Sequence, residues 1–470
     1  MQSKKIQPVR NDPKELFNSE LRLSSHDVNT TSLHIGLDDT PLHLAIRSDN
    51  FSEITRLLVT STNVSIKGSG GVTPLHLAAT KGYETIVNEL LSKNASVSIR
   101  DDSDDTPIHL ALYNNKLNIA KILIDHANDV NIKGYEGRTA LHIAAEKGYE
   151  HIVKFLLSKK ANVNVRDDSN DAPIHAAAYY GNLNIINILL HHATDVNIKG
   201  YYGRTPLHIA ALEGYESIVN LLLSKNATVN IRDYSSNTPM HLALHNNNPN
   251  IARILINHGA NINIKGHHNQ TMLHIAAEKG YEYIVNLLLT KNASAITRDC
   301  NKDTPIHLAL NNNNPNIAKI LLDHITEVNI RGRYGITPLH IATEKGYVSI
   351  INLLLSKNAS MYIRDYTSDM ATAIGKAAYS GDVNVLKSFL DHGVDVINSD
   401  LGFGRTILHI AIEMGYESIV NFLLSRNSSV NIEGNTIHLA LDNNYPNIAK
   451  MLIDHGVDVT YKRDCYHSFT

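Results

Sequence analysis

The chain repeats one pattern of apolar and polar positions, in which a turn is followed by two short amphipathic helices. In the copy at residues 203–223, Thr205 can cap the first helix with its hydroxyl, and Pro206 suits the first helical position. A small apolar face follows, Gly214 interrupts the chain, and a second apolar stripe recurs at helical spacing from Ile218 onward. Neither helix can bury its stripe alone, so we expect consecutive copies to stack on one another.

The start of this pattern recurs at a nearly constant spacing. Ten consecutive starts are 33 residues apart, and three more follow at spacings of 35, 34 and 29 residues. The starts are Thr40, Thr73, Thr106, Thr139, Ala172, Thr205, Thr238, Thr271, Thr304, Thr337, Thr372, Thr406 and Asn435. A 33-residue period with Thr-Pro-Leu-His-x-Ala at the helix start is typical of ankyrin repeats, and residues 40–463 therefore resemble the ankyrin-repeat family. The resemblance implies an all-α solenoid of about 13 helix-turn-helix units joined by β-hairpin-like finger turns.

The pattern divides the chain into three expected segments. Residues 1–39 are expected to form an N-terminal capping segment, because the first unit of a stacked array otherwise exposes its stacking face. Residues 40–463 form the repeat array, and residues 464–470 form a C-terminal tail. The irregular spacing late in the chain predicts a weaker joint between residues 365 and 440.

Alternate units are more alike than adjacent ones. One type reads Leu-His-Ile-Ala-Ala-Glu-Lys-Gly-Tyr-Glu, as at residues 141–150 and 273–282. The other reads Ile-His-Leu-Ala-Leu followed by an asparagine-rich turn, as at residues 108–115 and 306–314. The true period is therefore 66 residues, which indicates growth of the array by duplication of a pair of units.

The composition is that of a folded protein whose recognition must be local. Of 470 residues, 43% are hydrophobic, and the formal net charge of -3 supplies no global field that would attract nucleic acid or an anionic membrane. The sequence shows no secretory signal and no apolar run of the about 18 residues that a membrane span needs. The two cysteines, Cys300 and Cys465, indicate a reducing compartment. We therefore expect a cytoplasmic monomer without a membrane span.

Histidine is the most frequent candidate for chemistry, with 26 residues, of which 12 lie in the helix-start motif. No cysteine or carboxylate accompanies these motif histidines at metal-ligand spacing. The resemblance to ankyrin repeats implies that they are structural, with rings that bond to neighbouring turns. The tyrosine after each glycine break, such as Tyr215, is expected to pack against a turn, because base stacking would also require a basic groove. These positions predict no enzyme, no metal, no cofactor and no nucleic-acid partner.

The resemblance implies that partners contact the finger turns, which are the six residues before each helix start, and the exposed side of the first helix. Gly-type finger turns begin with Lys-Gly or Arg-Gly and carry formal charges of +1, +2, +1 and +2 at residues 133–138, 199–204, 265–270 and 331–336. Asp-type finger turns begin with Arg-Asp and carry -3, -2, 0 and 0 at residues 100–105, 166–171, 232–237 and 298–303. Basic aromatic turns thus alternate with acidic or neutral ones.

The candidate partner-binding residues lie in these finger turns. They are Tyr135, Glu136, Arg138, Tyr201, Tyr202, Arg204, His267, His268, Arg333, Tyr334, Asp102, Asp104 and Tyr234. Two hypotheses are open for their charges. In the first, lysines and aspartates of adjacent turns pair within the protein, and an exposed pair contributes about 0–1 kcal/mol to stability. In the second, a partner lies along the turns and meets a basic, tyrosine-rich site in every second unit.

The sequence favours a non-catalytic scaffold that binds a protein partner of unknown identity. The alternative function is that of a secreted, host-directed effector or toxin component of an intracellular microbe, virus or arthropod. The frequent asparagine, lysine, isoleucine and tyrosine residues motivate this alternative, because an A+T-rich genome favours them. Such a protein would be secreted into a host cell.

Overall fold

A computed structural model describes residues 38–366, 372–393, 405–426 and 435–457 of the chain. These residues form 26 α-helices in consecutive pairs, and no β-strand is found among them. The first twelve pairs begin at the residue after a predicted helix start, and the last begins at Asn435 itself. The all-α fold class predicted from the sequence is confirmed.

The two helices of each pair are short and differ little in length from one unit to the next. The first helices are α1 Pro41–Arg47, α3 Pro74–Lys81, α5 Pro107–Tyr113, α7 Ala140–Lys147, α9 Pro173–Tyr179, α11 Pro206–Glu213, α13 Pro239–His245, α15 Met272–Lys279, α17 Pro305–Asn311, α19 Pro338–Glu344, α21 Ala373–Ser380, α23 Ile407–Glu413 and α25 Asn435–Asp442. The second helices are α2 Phe51–Thr60, α4 Glu84–Ser92, α6 Leu117–Asp125, α8 Glu150–Ser158, α10 Leu183–Leu190, α12 Glu216–Ser224, α14 Pro249–Asn257, α16 Glu282–Thr290, α18 Pro315–Leu322, α20 Val348–Ser356, α22 Val383–Asp391, α24 Glu417–Arg426 and α26 Pro446–Asp454. None of the described helices has the length and apolar character that crossing a bilayer requires.

Local sequence signals set the helix ends. The Thr205 hydroxyl accepts a hydrogen bond from the His208 backbone N–H at 3.4 Å, and Pro206 occupies the first helical position of α11. Gly214 follows this helix with a φ of 90°, a left-handed conformation that glycine adopts without steric cost. In the other unit type, Asn248 is the N-cap residue of α14 and Pro249 occupies its first position.

The core consists of the apolar faces that the sequence pattern predicts. Leu207 and Ala210 of α11 and Ile218 and Val219 of α12 are buried, with at most 1% of each residue exposed. Burial of a side chain of leucine or isoleucine size contributes about 1.5–3 kcal/mol. α11 packs against α9 and α13, so these three first helices bury their apolar faces against one another.

Contacts divide the chain into two compact blocks, an N-terminal block of Met1–Asp168 and a C-terminal block of Ser169–Thr470. Within each block, first helices contact the first helices of adjacent pairs and second helices contact second helices. Because the packing of the helices recurs from one unit to the next within a block, a position in one unit can be compared with its equivalents in the others.

Two expectations concern residues outside the described ranges. Residues 1–37 of the expected capping segment and the tail 464–470 lie outside the described residues. The expected weak joint is only partly covered, because residues 367–371, 394–404 and 427–434 are also outside them. The capping role and the joint therefore stay predictions.

Candidate functional site

The helix-start histidine is a fully bonded structural group in its own unit. His208 Nδ1 accepts hydrogen bonds from the backbone N–H of Thr205 at 3.2 Å and from its hydroxyl at 2.8 Å. Since Nδ1 accepts, the ring proton is on Nε2, which donates to the Asn237 carbonyl at 3.2 Å in the next unit. Burial lowers the pKa of His208 to about 3, so the ring is neutral near pH 7.

The same arrangement recurs along the array. In eleven of the described units, Nδ1 of the motif histidine accepts from the backbone N–H of the residue three positions earlier. These histidines are His43, His76, His109, His142, His175, His208, His241, His274, His307, His340 and His409. A ring nitrogen whose lone pair accepts a backbone N–H cannot also bind a metal or take a proton from a substrate. The structural role implied by the resemblance agrees with this geometry.

The tyrosine after the glycine break holds the turn of the preceding unit. The Tyr281 hydroxyl donates to Asn247 Oδ1 at 2.7 Å, and the Tyr347 hydroxyl donates to Asn313 Oδ1 at 2.9 Å. Both asparagines have a φ of 62°, a left-handed conformation that asparagine tolerates better than most residues. The expectation that these tyrosines pack against a turn is confirmed.

Consecutive finger turns are joined by two kinds of hydrogen bond, which alternate. In the first kind, the carbonyl at the tip of a Gly-type turn accepts a backbone N–H of the following Asp-type turn, as between Tyr202 and Tyr234 at 2.9 Å. The other bonds of this kind join Gly70 to Asp102, Glu136 to Asp168, His268 to Cys300 and Tyr334 to Tyr366. Each bond fixes the position of one finger turn against the next.

In the second kind, a side chain at the end of an Asp-type turn accepts the first tip N–H of the following Gly-type turn. Asp303 Oδ1 accepts from the Arg333 N–H at 2.8 Å, and Asn237 Oδ1 accepts from the His267 N–H at 2.9 Å. The Gly-type turns end instead in residues such as Arg204 or Ile336, which do not make this bond. The alternation of the two bonds gives the 66-residue period a structural basis.

We expect Asp303→Asn to leave the stability nearly unchanged and Asp303→Ala to lower it by about 1–3 kcal/mol. An amide oxygen already makes this bond at Asn237, whereas alanine leaves the Arg333 N–H without its acceptor. Urea unfolding followed by circular dichroism measures both variants. An equal loss in the two variants would show that the carboxylate charge, rather than the hydrogen bond, is what matters.

The charges of the finger turns are used in an unexpected way. Lys199 Nζ donates to the Arg232 carbonyl at 3.1 Å, and Arg331 donates to the Arg364 carbonyl at 2.8 Å. These basic side chains of Gly-type turns therefore bond a backbone carbonyl of the next turn. The first hypothesis expected them to pair with the aspartate side chains of that turn instead. Arg204 lies 3.9 Å from the buried carboxylate of Asp233, at the limit of an ion pair.

The thirteen candidate residues fall into two groups by exposure. Arg138 and Arg204 are mostly buried, Arg138 in an ion pair with Glu146, and Tyr201 is half-buried with its ring against that of Tyr202. The remaining candidates are exposed: Tyr135, Glu136, Tyr202, His267, His268, Arg333, Tyr334, Asp102, Asp104 and Tyr234. The side chains of these two arginines are only 13% and 12% exposed, so they have less surface to offer a partner than the sequence suggested.

The exposed aromatic residues stand on closely packed turns. Tyr234 is 71% exposed, yet its ring lies over Gly203, where a Cβ atom would come within 2.5 Å of it. Tyr366 is 76% exposed and lies in the same way over Gly335. The tip residue Tyr202 has a φ of 53°, a conformation that is strained for tyrosine. Side chains of Tyr234, His267 and His268 line an open cleft between two of these turns.

The comparison with protein families is decisive. The family described as ankyrin repeats, in a model of three copies, matches residues 9–101, 97–167, 160–233, 231–299, 293–365 and 374–463. The chain belongs to the ankyrin-repeat family. The first match of this ankyrin-repeat chain begins at residue 9, within the segment that the sequence assigned to the cap.

Individual relatives match only short parts of this ankyrin-repeat protein. The NF-kappa-B inhibitor cactus of Drosophila yakuba and that of Drosophila melanogaster are each 36% identical over 78 residues. Those residues are 17% of this chain and 16% and 15% of the two relatives. The potassium channel KOR2 of Oryza sativa subsp. japonica is 47% identical over 55 residues, or 12% of this chain and 8% of the channel. The chain therefore spans a small fraction of the length of these relatives.

One exposed finger residue of this ankyrin array was missed from the sequence. Tyr366 occupies the position of Tyr234 in a later Asp-type turn, and both lie over a glycine of the preceding turn. The signal was present, because Arg-Asp-Tyr occurs at residues 232–234 and again at 364–366. The two units are separated by twice the 66-residue period, so a comparison of adjacent units does not reveal that Tyr366 is equivalent to Tyr234.

Proposed function

We propose that this chain is a non-catalytic scaffold that binds a protein partner through its finger turns and the exposed faces of its first helices. The observation that carries the proposal is a set of exposed tyrosines on finger turns that hydrogen bonds hold in place. Tyr202 is 45% exposed and Tyr334 is 56% exposed, and their own carbonyls bond the next turn. Tyrosine on a preformed surface provides large contact area at little cost in conformational entropy.

Strain at the tips supports a functional role. Tyr202 and Tyr334 have φ values of 53° and 56°, whereas the equivalent position in an earlier turn is Gly70. A left-handed conformation costs a non-glycine residue about 1–2 kcal/mol. Backbone strain of this kind clusters at functional sites, where the surrounding structure holds the strained residue in place.

The histidines support the non-catalytic part of the proposal. They are the most numerous groups that could act in acid–base chemistry near pH 7, and motif rings such as those of His76 and His274 are buried with both nitrogens in hydrogen bonds. A general base needs a lone pair that reaches substrate. The name of the cactus relatives, NF-kappa-B inhibitor, also supports binding as the kind of function, over the short part that they share with this chain.

Replacing both tip tyrosines with glycine separates binding from folding. We expect Tyr202→Gly with Tyr334→Gly to preserve or raise the stability, because glycine relieves the left-handed strain, and to lose most of the natural partner in affinity capture. Thermal unfolding by circular dichroism and quantitative mass spectrometry of the captured proteins give the two measurements.

Tyr283→Ala is the matched control for this variant. Tyr283 is 64% exposed but lies on the second helix α16, away from the finger turns. We expect it to capture the partner like the unaltered chain. Full capture by the double glycine variant would contradict the proposal.

A further inference from the structure

Between residues 199 and 366 of the C-terminal block, the exposed charges on the described finger turns have one sign. Between residues 199 and 366, the described finger turns expose basic side chains in every turn, and each exposed charged residue there is basic. They include Lys199, Arg232, Lys265, Arg298, Arg333 and Arg364. We call these residues, together with the tyrosines between them, the basic finger face.

The acidic residues of the same turns point inward. Asp233, Asp299, Asp303 and Asp365 are between 4% and 7% exposed. Asp233 Oδ1 accepts the backbone N–H groups of Ser235 and Asn237, so its carboxylate closes its own turn. Asp299 Oδ1 accepts two such bonds in the same way. Formal charge counts of the turns therefore underestimate how basic their exposed surface is.

Burial also disfavours the ionised form of these carboxylates. It raises the pKa of Asp233, Asp299 and Asp303 above the ordinary range. Lys376 Nζ lies 3.2 Å from Asp365 Oδ2 and compensates that carboxylate within the protein. The outward-facing basic side chains thus dominate the field near the finger tips.

The tyrosines of this face lie against guanidinium groups. The Arg333 guanidinium is 4.8 Å from the ring centre of Tyr334 and donates a hydrogen bond to its hydroxyl at 3.0 Å. The Arg331 guanidinium is 5.7 Å from the ring centre of Tyr366. A cation held over an aromatic ring still offers its outer N–H groups to a carboxylate, which arginine can bind with two parallel hydrogen bonds.

We propose that the basic finger face binds an acidic, extended segment of a protein partner. This inference rests on the proposed function and names the chemistry of the partner that the C-terminal block takes. Carboxylates of the segment pair with the basic side chains, and its remaining side chains pack on Tyr202, Tyr234, Tyr334 and Tyr366.

The spacing of the face suits a polypeptide. Neighbouring helices pack about 10 Å apart, and an extended chain rises about 3.3 Å per residue, so about three residues pass from one finger turn to the next. One acidic residue in three then matches one basic side chain per turn. Each strand of a nucleic-acid duplex carries a charge about every 3.4 Å along the helix axis, well above the density of this face.

The N-terminal block lacks this uniform sign. Its finger turns expose Asp102, Asp104, Glu136 and Asp168 together with basic side chains, and Arg100 lies 3.7 Å from Asp104. An acidic segment would meet repulsion there at about as many positions as attraction. The proposal therefore assigns the acidic segment to the C-terminal block alone.

The test uses the full chain and a fluorescent peptide of about 18 residues that repeats Glu-Gly-Ser, with one glutamate for each of about six finger turns. We expect saturable binding by fluorescence anisotropy, and weaker binding as salt rises from about 50 to 300 mM. The variant with Arg232→Gln, Arg298→Gln and Arg333→Gln should bind at least about tenfold more weakly. Circular dichroism checks that the variant is folded.

A matched variant removes the same charge from another surface. Lys225, Lys291 and Lys357 directly follow the second helices α12, α16 and α20, outside the finger turns. We expect their triple replacement with glutamine to leave peptide binding within about twofold of the unaltered chain. Equal losses in the two triple variants would overturn the proposal, because they would reflect net charge and not the face.

Cys300 is a native reporter within the face. It is exposed in an Asp-type turn between Arg298 and Lys302. In a Cys465→Ser background it is the sole thiol of the chain, and bound peptide should slow its alkylation. An unchanged alkylation rate at saturating peptide would place the peptide elsewhere and contradict the proposal.

A second probe distinguishes an acidic protein partner from a nucleic acid. A fluorescent oligodeoxythymidylate of equal length should bind more weakly than the acidic peptide at about 150 mM salt. Tighter binding of the oligonucleotide would overturn the acidic-protein assignment. Absence of peptide binding would also overturn that assignment. The proposed function would still be tested independently by the tyrosine-dependent capture of the natural partner.

Discussion

Replacing His208 with alanine is expected to lower the free energy of unfolding by about 3–5 kcal/mol. The substitution removes the acceptor of the Thr205 N–H and the donor to the Asn237 carbonyl, and each buried polar group left without a partner costs about 1–3 kcal/mol. It also opens a cavity at a fully buried position. Because Asn237 belongs to the next unit, the loss weakens both the helix start of α11 and the joint between two units.

Urea unfolding of the full chain, followed by circular dichroism, measures this effect. Thr205→Ala is the matched control, because Ala172 stands at the same position in another unit and its N–H still donates to His175 Nδ1 at 3.0 Å. We expect the control to lose about 1 kcal/mol, the usual cost of a missing helix cap. Equal losses in the two variants would show that the histidine ring contributes no more than the hydroxyl, and the proposed joint would be wrong.

The helix pairs were predictable because their signals are local and repeated. A threonine followed by proline starts a helix wherever it occurs, as at Thr205 and Thr238, and each repetition tests the same inference again. The histidine and the glycine-tyrosine step were also assigned correctly, since both act within a unit or on its immediate neighbour. Local chemistry and a fixed period together determine these contacts.

The finger surface was less predictable because it depends on contacts across units. Formal charges gave the Asp-type turns at residues 232–237 and 298–303 no net charge, yet the carboxylates of Asp233 and Asp299 turn inward and leave the arginines exposed. Which oxygen accepts which N–H follows from the three-dimensional turn and not from composition. In the same way, nothing in the sequence showed that Arg204 is mostly buried while Tyr202 beside it in the turn is exposed.

The buried histidines predict that the array is sensitive to mild acid. Burial lowers the pKa of the motif histidines to about 4, or about 3 in the case of His208, against 6.5 in the unfolded chain. The histidines with these values are His76, His109, His208, His241, His274 and His307. Between the two pKa values the unfolded chain binds protons that the folded chain excludes. Their contribution is therefore complete above the unfolded pKa and is lost as the pH falls toward 4.

The expected loss from pH 7 to pH 5 is about 2 kcal/mol for each motif histidine in the segment that unfolds. The buried carboxylates of Asp233, Asp299 and Asp303 act in the opposite direction, because burial raises their pKa and the folded chain then binds the extra proton. As the pH falls, their stabilising effect sets in at the raised pKa and is complete below the ordinary one, so a net loss of stability between pH 7 and pH 5 would show that the histidines dominate in this interval. Urea unfolding midpoints measured across this interval show directly whether stability falls or rises as the pH is lowered.

Two variants assign this pH dependence to the motif rings. His208→Gln removes one such ring, so the loss between pH 7 and pH 5 should shrink by about 2 kcal/mol even though the variant is less stable at pH 7. His258→Gln is the control, because His258 is exposed at the end of α14 and its Nδ1 bonds only the Ile254 carbonyl of the last turn, at 2.9 Å. If both variants kept the full loss, the proton uptake would have to come from groups other than the motif histidines. The bonded geometry of His208 argues against that outcome, since a proton on Nδ1 would face the Thr205 N–H that it now accepts.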